Sequence, residues 1–217
     1  MLERTEVGLW VVADGMGGHS KGDVASQMIV DSMKKVNERT SLVKFIDDIE
    51  DRLLHVNQKL IEKARSSTKK STIGSTVAIL VAYDKYCVYM WAGDSRVYRL
   101  RDGEMRQITT DHSQVELYIE KGMISRAEAL VHPHGNMITR AIGATDELFL
   151  DIDMQEMARN DRYLLCSDGL TKHIQDYELE EQLKKGNSGE ETCRTLIDLT
   201  LSRGAGDNVT AIVVDIE

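Results

Sequence analysis

The 217-residue sequence predicts a mixed α/β fold of the α+β kind, and three observations carry that prediction. Strand-like runs follow one another closely and are joined by hairpin-turn pairs. Helical periodicities form separate groups instead of alternating with the strands. No internal repeat, low-complexity tract or linker interrupts the chain. Clustered elements with hairpins point to packed layers rather than a regular βαβ array, and to a single domain over residues 1–217.

Gly8 to Ala13 is a continuous apolar run ending at Asp14-Gly15, the pattern of a strand buried on both faces. From Asp23 the period changes: Val24, Ala25, Met28, Ile29, Met33 and Val36 mark one face of a helix. A second helix follows from about Leu42 to Ala64 through Ile46, Ile49, Leu53, Val56 and Leu60. Ser66–Ser75 is polar, ends in Ile73-Gly74, and reads as a loop. Strands Val77–Ala82 and Tyr86–Ala92 are joined at Asp84-Lys85. Val97–Arg101 and Glu104–Thr109 are joined at Asp102-Gly103, a strong hairpin signal. Between Asp111 and His134 come short helical patterns (Val115–Lys121, Arg126–Leu130) and the only proline, which mark an inserted flap at about 115–134. Strands resume at Leu148–Ile152 and Tyr163–Cys166. Helices near Tyr177–Lys184 and Gly189–Ser202 precede a last strand at Val209–Ile216.

Composition narrows the function. The formal charge of −9 argues against nucleic acid and anionic lipid as partners. Three unpaired, widely spaced cysteines, Cys87, Cys166 and Cys193, read as core residues of a reducing compartment. No apolar run approaches the roughly 20 residues that span a bilayer, and the expected location is the cytoplasm. Trp10 and Trp91 fall on strands as core residues, and the ten scattered methionines read as packing.

Three aspartates share one setting. Asp14 and Asp168 each follow a buried strand and precede a glycine, and Asp207 stands after Gly206 and before the last strand. A carboxylate at a strand end beside glycine is exposed where backbone can come close to a ligand. Oxygen-only ligands suit Mg²⁺ or Mn²⁺ rather than zinc. Two such ions about 3.5–4 Å apart clamp an in-line displacement at phosphorus and acidify a bridging water.

DGMGG (Asp14–Gly18), AGDSR (Ala92–Arg96), TTDHS (Thr109–Ser113), TRAIG (Thr139–Gly143), LCSDGL (Leu165–Leu170) and GDNVTAIVV (Gly206–Val214) stand in one order along nearly the whole chain. In that order they resemble the PPM (type 2C) family of metal-dependent serine/threonine protein phosphatases, in its bacterial form. The resemblance implies a four-layer sandwich: two mainly antiparallel sheets flanked by helices, with the metal site at one end and the flap beside it. It implies Asp14 as the carboxylate shared by two ions, with the Gly15 carbonyl on the second. Asp168 and Asp207 would complete the first ion, and Asp111 with Asp168 would hold a third, weaker one. The substrates implied are phosphorylated proteins, targets of a cognate serine/threonine kinase. Asp94 and Arg96 read as supports of the neighbouring hairpin.

The chain departs from that pattern at two places. The family begins with a strand bearing a phosphate-gripping arginine and an acidic motif that helps hold the second metal. Only seven residues precede Gly8, and Arg4, Glu3 and Glu6 are not at the family spacing. A chain cut short or displaced at its start is one expectation, with an unpaired sheet edge, a looser second metal and a weaker phosphate grip. Met16 stands where animal members carry a histidine; His19 is near, although a lone loop histidine is more often incidental. The alternative function is a phosphatase-like binding scaffold of reduced or no activity. His112 could orient Asp111, and the other histidines carry no expected metal role.

Rival enzymes fail on spacing. A nucleophile elbow at Gly93-Asp94-Ser95 would need glycine at Val97. A cysteine-based phosphatase needs arginine six residues beyond its thiolate, where this chain has Gly93, Lys172 and Leu199. No P-loop or kinase signature is present.

Overall fold

The computed structural model describes residues 1–17, 19–36, 41–66 and 72–217. Alternation along the central strands determines the layering. In strand β2 (Leu9–Val12), Leu9 and Val11 enter one core cluster while Trp10 and Val12 enter another. β5 (Val77–Tyr83) and β6 (Tyr86–Ala92) split likewise: Ile79, Val81, Val88 and Met90 face one way, and Ala78, Leu80, Cys87 and Tyr89 the other. A sheet apolar on both faces must be covered on both. One face meets α1 (His19–Met33) and α2 (Leu42–Ser66), through Ala25, Ile29, Phe45, Ile49 and Leu53. The other packs on a second sheet through Val97, Tyr163, Leu165 and Ile212.

The first sheet has five strands in the order β1 (Leu2–Arg4), β2, β5, β6, β9 (Asp151–Glu156), and every pairing is antiparallel. The second orders β11 (Ala211–Asp215), β10 (Arg162–Cys166), β7 (Arg96–Arg101) and β8 (Glu104–Gln107), also antiparallel. Its outer face carries Tyr98, Leu164 and Cys166 against Leu179, Leu183 and Leu196 of α6 (Asp176–Lys184) and α7 (Gly189–Ser202). The expected four layers are therefore present: helices, sheet, sheet, helices.

The hairpin turn joining β7 to β8 behaves as its sequence requires. Asp102 and Gly103 both have positive φ, 51° and 77°, the primed turn that matches strand twist. The excursion after β8 holds α3 (Gln114–Glu120) and α4 (Arg126–Ala129), each capped by a serine and contributing no buried residue. Bridging Ser113 to Ile138 closes its base.

Several expectations need correcting. The edge of β2 is not open, because Leu2–Arg4 pairs along it from Leu2↔Val11 to Arg4↔Leu9. The strand expected at Leu148–Ile152 lies at Asp151–Glu156, where the ladder with β6 runs from Trp91↔Asp151 to Tyr86↔Glu156. Leu148 and Leu150 are apolar because they pack against the core without pairing. Ser66–Ser75 is not wholly loop. α2 reaches Ser66, and β4 (Gly74–Ser75) pairs with β3 (Gly15–Met16). The first helix begins four residues before Asp23, at His19. A short helix not foreseen, α5 (Asp168–Thr171), starts directly after β10.

Candidate metal centre

Asp14 leaves β2 and is fixed by its own backbone. Its carbonyl accepts from the Thr76 amide at 2.8 Å and the Ser75 hydroxyl at 2.9 Å. Its amide donates to Thr76 Oγ1 at 3.3 Å, and that hydroxyl meets Ser95 Oγ at 2.6 Å. The buried Thr76–Ser95 pair thus ties Asp14 to the loop bearing Asp94. Gly93 opens that loop at φ 116°, and a Cβ there would stand 2.6 Å from the Thr76 side chain.

Asp168 is the first residue of α5. The preceding Ser167 exchanges bonds with Thr210: its amide donates to the Thr210 carbonyl and its hydroxyl accepts from the Thr210 amide, both at 3.1 Å. A Cβ on Gly169 would lie 2.3 Å from the Asn208 carbonyl oxygen. The segment carrying Asp207 is therefore drawn against the Asp168 turn. Asp207 itself is exposed, with Oδ1 accepting from the Asn208 amide at 2.8 Å.

The electrostatics show which carboxylates share a field. Burial pushes Asp14 up to about 7, helped by Asp168, Asp207 and Asp94. Asp94 is also pushed up to about 7, by burial first and then by Asp168 and Asp111, with Lys172 opposing. Asp168 Oδ2 is 2.5 Å from Lys172 Nζ, while its Oδ1 is buried with no hydrogen-bond partner. Asp14 thus feels the charge of Asp168, Asp207 and Asp94, and Asp94 that of Asp168 and Asp111. Asp111 is held differently: Arg96 grips both of its oxygens at 2.8–3.1 Å and Gln107 Nε2 donates to Oδ1 at 2.9 Å.

Among the described residues, no group of three or more His, Cys, Asp and Glu side chains is placed, as the side chains stand, to hold a metal ion. This does not conflict with the mutual repulsion, because charges interact over longer distances than metal–oxygen bonds of about 2.0–2.6 Å. Asp168 is turned to Lys172, and Asp207 to its neighbouring amide. The donor set nonetheless fits a hard divalent cation. It is oxygen-only, short of positive charge, and includes a buried carboxylate oxygen with nothing to bond.

Arg4 does not face this cluster as a phosphate grip. It pairs with Glu6 and donates to the carbonyls of Lys34 and Val36 behind α1. Gly18 and the side chain of His19 lie outside the described residues. Two members were not singled out by sequence reasoning. Lys172 could have been found from its spacing of four after Asp168, had α5 been foreseen. Asp94 was read as hairpin support, yet it lies within the acidic field.

Comparison with known proteins places the chain. Residues 3–201 match the family model described as Protein phosphatase 2C. The serine/threonine phosphatase stp of Listeria innocua is 35% identical over 209 residues, covering 94% of this chain and 83% of that protein. Among solved structures, PppA, described as a key regulatory component of T6SS in Pseudomonas aeruginosa, superposes with a TM-score of 0.88 at 38% identity. That match covers 98% of this chain and 87% of PppA. The catalytic domain of PstP in complex with two manganese ions matches with a TM-score of 0.83 at 31% identity, over 96% and 88% of the two chains. The class is thereby defined: a metal-dependent protein serine/threonine phosphatase. The chain belongs to the protein phosphatase 2C family.

Proposed function

We propose that this chain hydrolyses phosphoserine and phosphothreonine in proteins at a carboxylate site for two divalent ions, or three with Asp111. Asp14, the Gly15 carbonyl, Asp168 and Asp207 would hold the first two, and Mn²⁺ or Mg²⁺ fits their oxygen chemistry. The shared field of Asp14, Asp168 and Asp207 carries the reading: burial first, then the two neighbouring carboxylates, suppress the charge on Asp14. When bound, such ions offset the charge of a phosphoryl group and acidify water near neutral pH.

The chain's own residues prepare the site. Thr76, Ser75 and Ser95 hold the Asp14 backbone in place. Ser167 and Thr210 fix the Asp168 turn relative to the Asp207 segment. Arg96 donates to both oxygens of Asp111 and fixes that carboxylate in place. The substrates would be proteins phosphorylated by a cognate serine/threonine kinase in the cytoplasm. Consistent with that setting, no described helix is long and apolar enough to cross a membrane.

Phosphate release from a phosphothreonine peptide, with and without millimolar Mn²⁺, tests the proposal. The expected result is Mn²⁺-dependent release that falls about a hundredfold or more in Asp168→Asn, with unfolding temperature checked alongside. No Mn²⁺-dependent release from the unaltered chain would leave the binding-scaffold reading in its place.

A further inference from the structure

Within the acidic field of Asp14, Asp94, Asp168 and Asp207 lies one side chain of opposite sign that no established role accounts for. Lys172 caps α5 and places Nζ 2.5 Å from Asp168 Oδ2. Both groups are partly shielded: the lysine side chain is 37% exposed and the aspartate 18%. The spacing is built in, because residues four apart across a helical turn lie on one face. Arg96, the other nearby cation, is already committed to Asp111 and Tyr98.

We infer that Lys172 is a tethered counter-ion of the metal centre, whose ammonium competes with a divalent cation for the charge of Asp168 and thereby sets the metal concentration the protein needs. The inference rests on the proposed metal role of Asp168. A divalent ion at Asp168 competes with the ammonium for the same charge. It would also meet like-charge repulsion if the ammonium stayed where it is. Competition of this kind is a negative coupling between two cations, of the size that shifts affinity by roughly fivefold to a hundredfold.

The test is Mn²⁺ binding by isothermal titration calorimetry on the full chain, a readout independent of turnover. Lys172→Gln is expected to tighten Mn²⁺ binding at least about fivefold, and Lys172→Met to do the same. Lys172→Arg, which keeps a cation, is expected to stay within about twofold of the unaltered protein. Equal affinity in the unaltered chain and both neutral variants would overturn the inference while leaving the metal site standing. Unchanged affinity with a severalfold rise in KM for the phosphopeptide would assign Lys172 to the substrate's phosphate and likewise overturn it. An unaltered chain that neither binds Mn²⁺ nor releases phosphate would overturn the function as well.

Discussion

At Gly15 the chain allows no side chain for a reason that lies 7 residues away. A Cβ there would stand 2.0 Å from the Gly22 carbonyl oxygen and 2.3 Å from its carbon. A Cβ on Gly22 would meet the Gly15 oxygen at 2.5 Å. Two glycines therefore let α1 press directly on β3, beside the carbonyl proposed to face the second ion. Gly15→Ala should push the helix away and cost about 1–3 kcal/mol, read from the urea midpoint, with a parallel loss of Mn²⁺ affinity. An unchanged midpoint would mean that α1 slides freely. At this scale the sequence was most legible where a carboxylate ends a buried strand beside glycine, as at Asp14 and Asp168. Gly22 was invisible because the helical period is legible only from Asp23, whereas α1 begins at His19. Lys172 was invisible because a four-residue helix leaves no periodic trace.

Elements were legible where one face is apolar over several turns, as in α1, α2 and α7. Strands whose partners are distant in sequence were harder. β9 is an edge strand of sequence DIDMQE, with little apolar pattern to announce it, and β1 is only three residues long. The structure also shows what ties the excursion of residues 113–138 to the framework. His112 donates its amide to the Gly93 carbonyl at 2.9 Å, and its Nδ1 accepts from the Gly93 amide at 3.1 Å. Its carbonyl accepts from Thr139 at 2.8 Å, and its ring stacks on Trp91. Nε2 lies 3.3 Å from Asp151 Oδ2, a carboxylate also bonded by Arg140. Burial and Arg140 lower the pKa of His112 against the pull of Asp151 and Asp111, and the residue joins both ends of the excursion to the Asp94 loop. His112→Ala should cost about 1–3 kcal/mol. Amide hydrogen exchange should quicken at Gly93 and through 113–138 but not in α6 and α7. His112→Asn, which keeps an acceptor near the Nδ1 position, should recover part of the loss. Uniform quickening along the chain would show a general loss of stability instead of a local clamp.

For the whole molecule, the layering could not be read from periodicity, because β2 pairs with β5, β6 with β9 and β7 with β10 across long stretches of chain. The family resemblance supplied that order. The assembled fold has an electrostatic consequence that no single segment carries. Asp14 and Asp94 are held near 7, well above an ordinary carboxyl, so the folded chain binds protons that the unfolded chain has already released. Between about pH 4 and about pH 7 these two groups therefore make stability fall as pH rises. Carboxylates paired elsewhere, such as Asp161 with Arg101 and Glu178 with Arg203, act with the opposite sign at lower pH. The total curve mixes the two, whereas the difference made by a divalent ion isolates the cluster. Ligand carboxylates must lose their protons to bind, and a ligand that binds only the folded state stabilises it. The gain in unfolding temperature from millimolar Mn²⁺ should thus be large near pH 8 and nearly absent near pH 5, with its midpoint around pH 7. Scanning fluorimetry of the same protein with Mn²⁺ and with a chelator across that range measures the difference directly. A gain independent of pH would show that Asp14 and Asp94 do not titrate in the folded chain, and that the ion binds away from them.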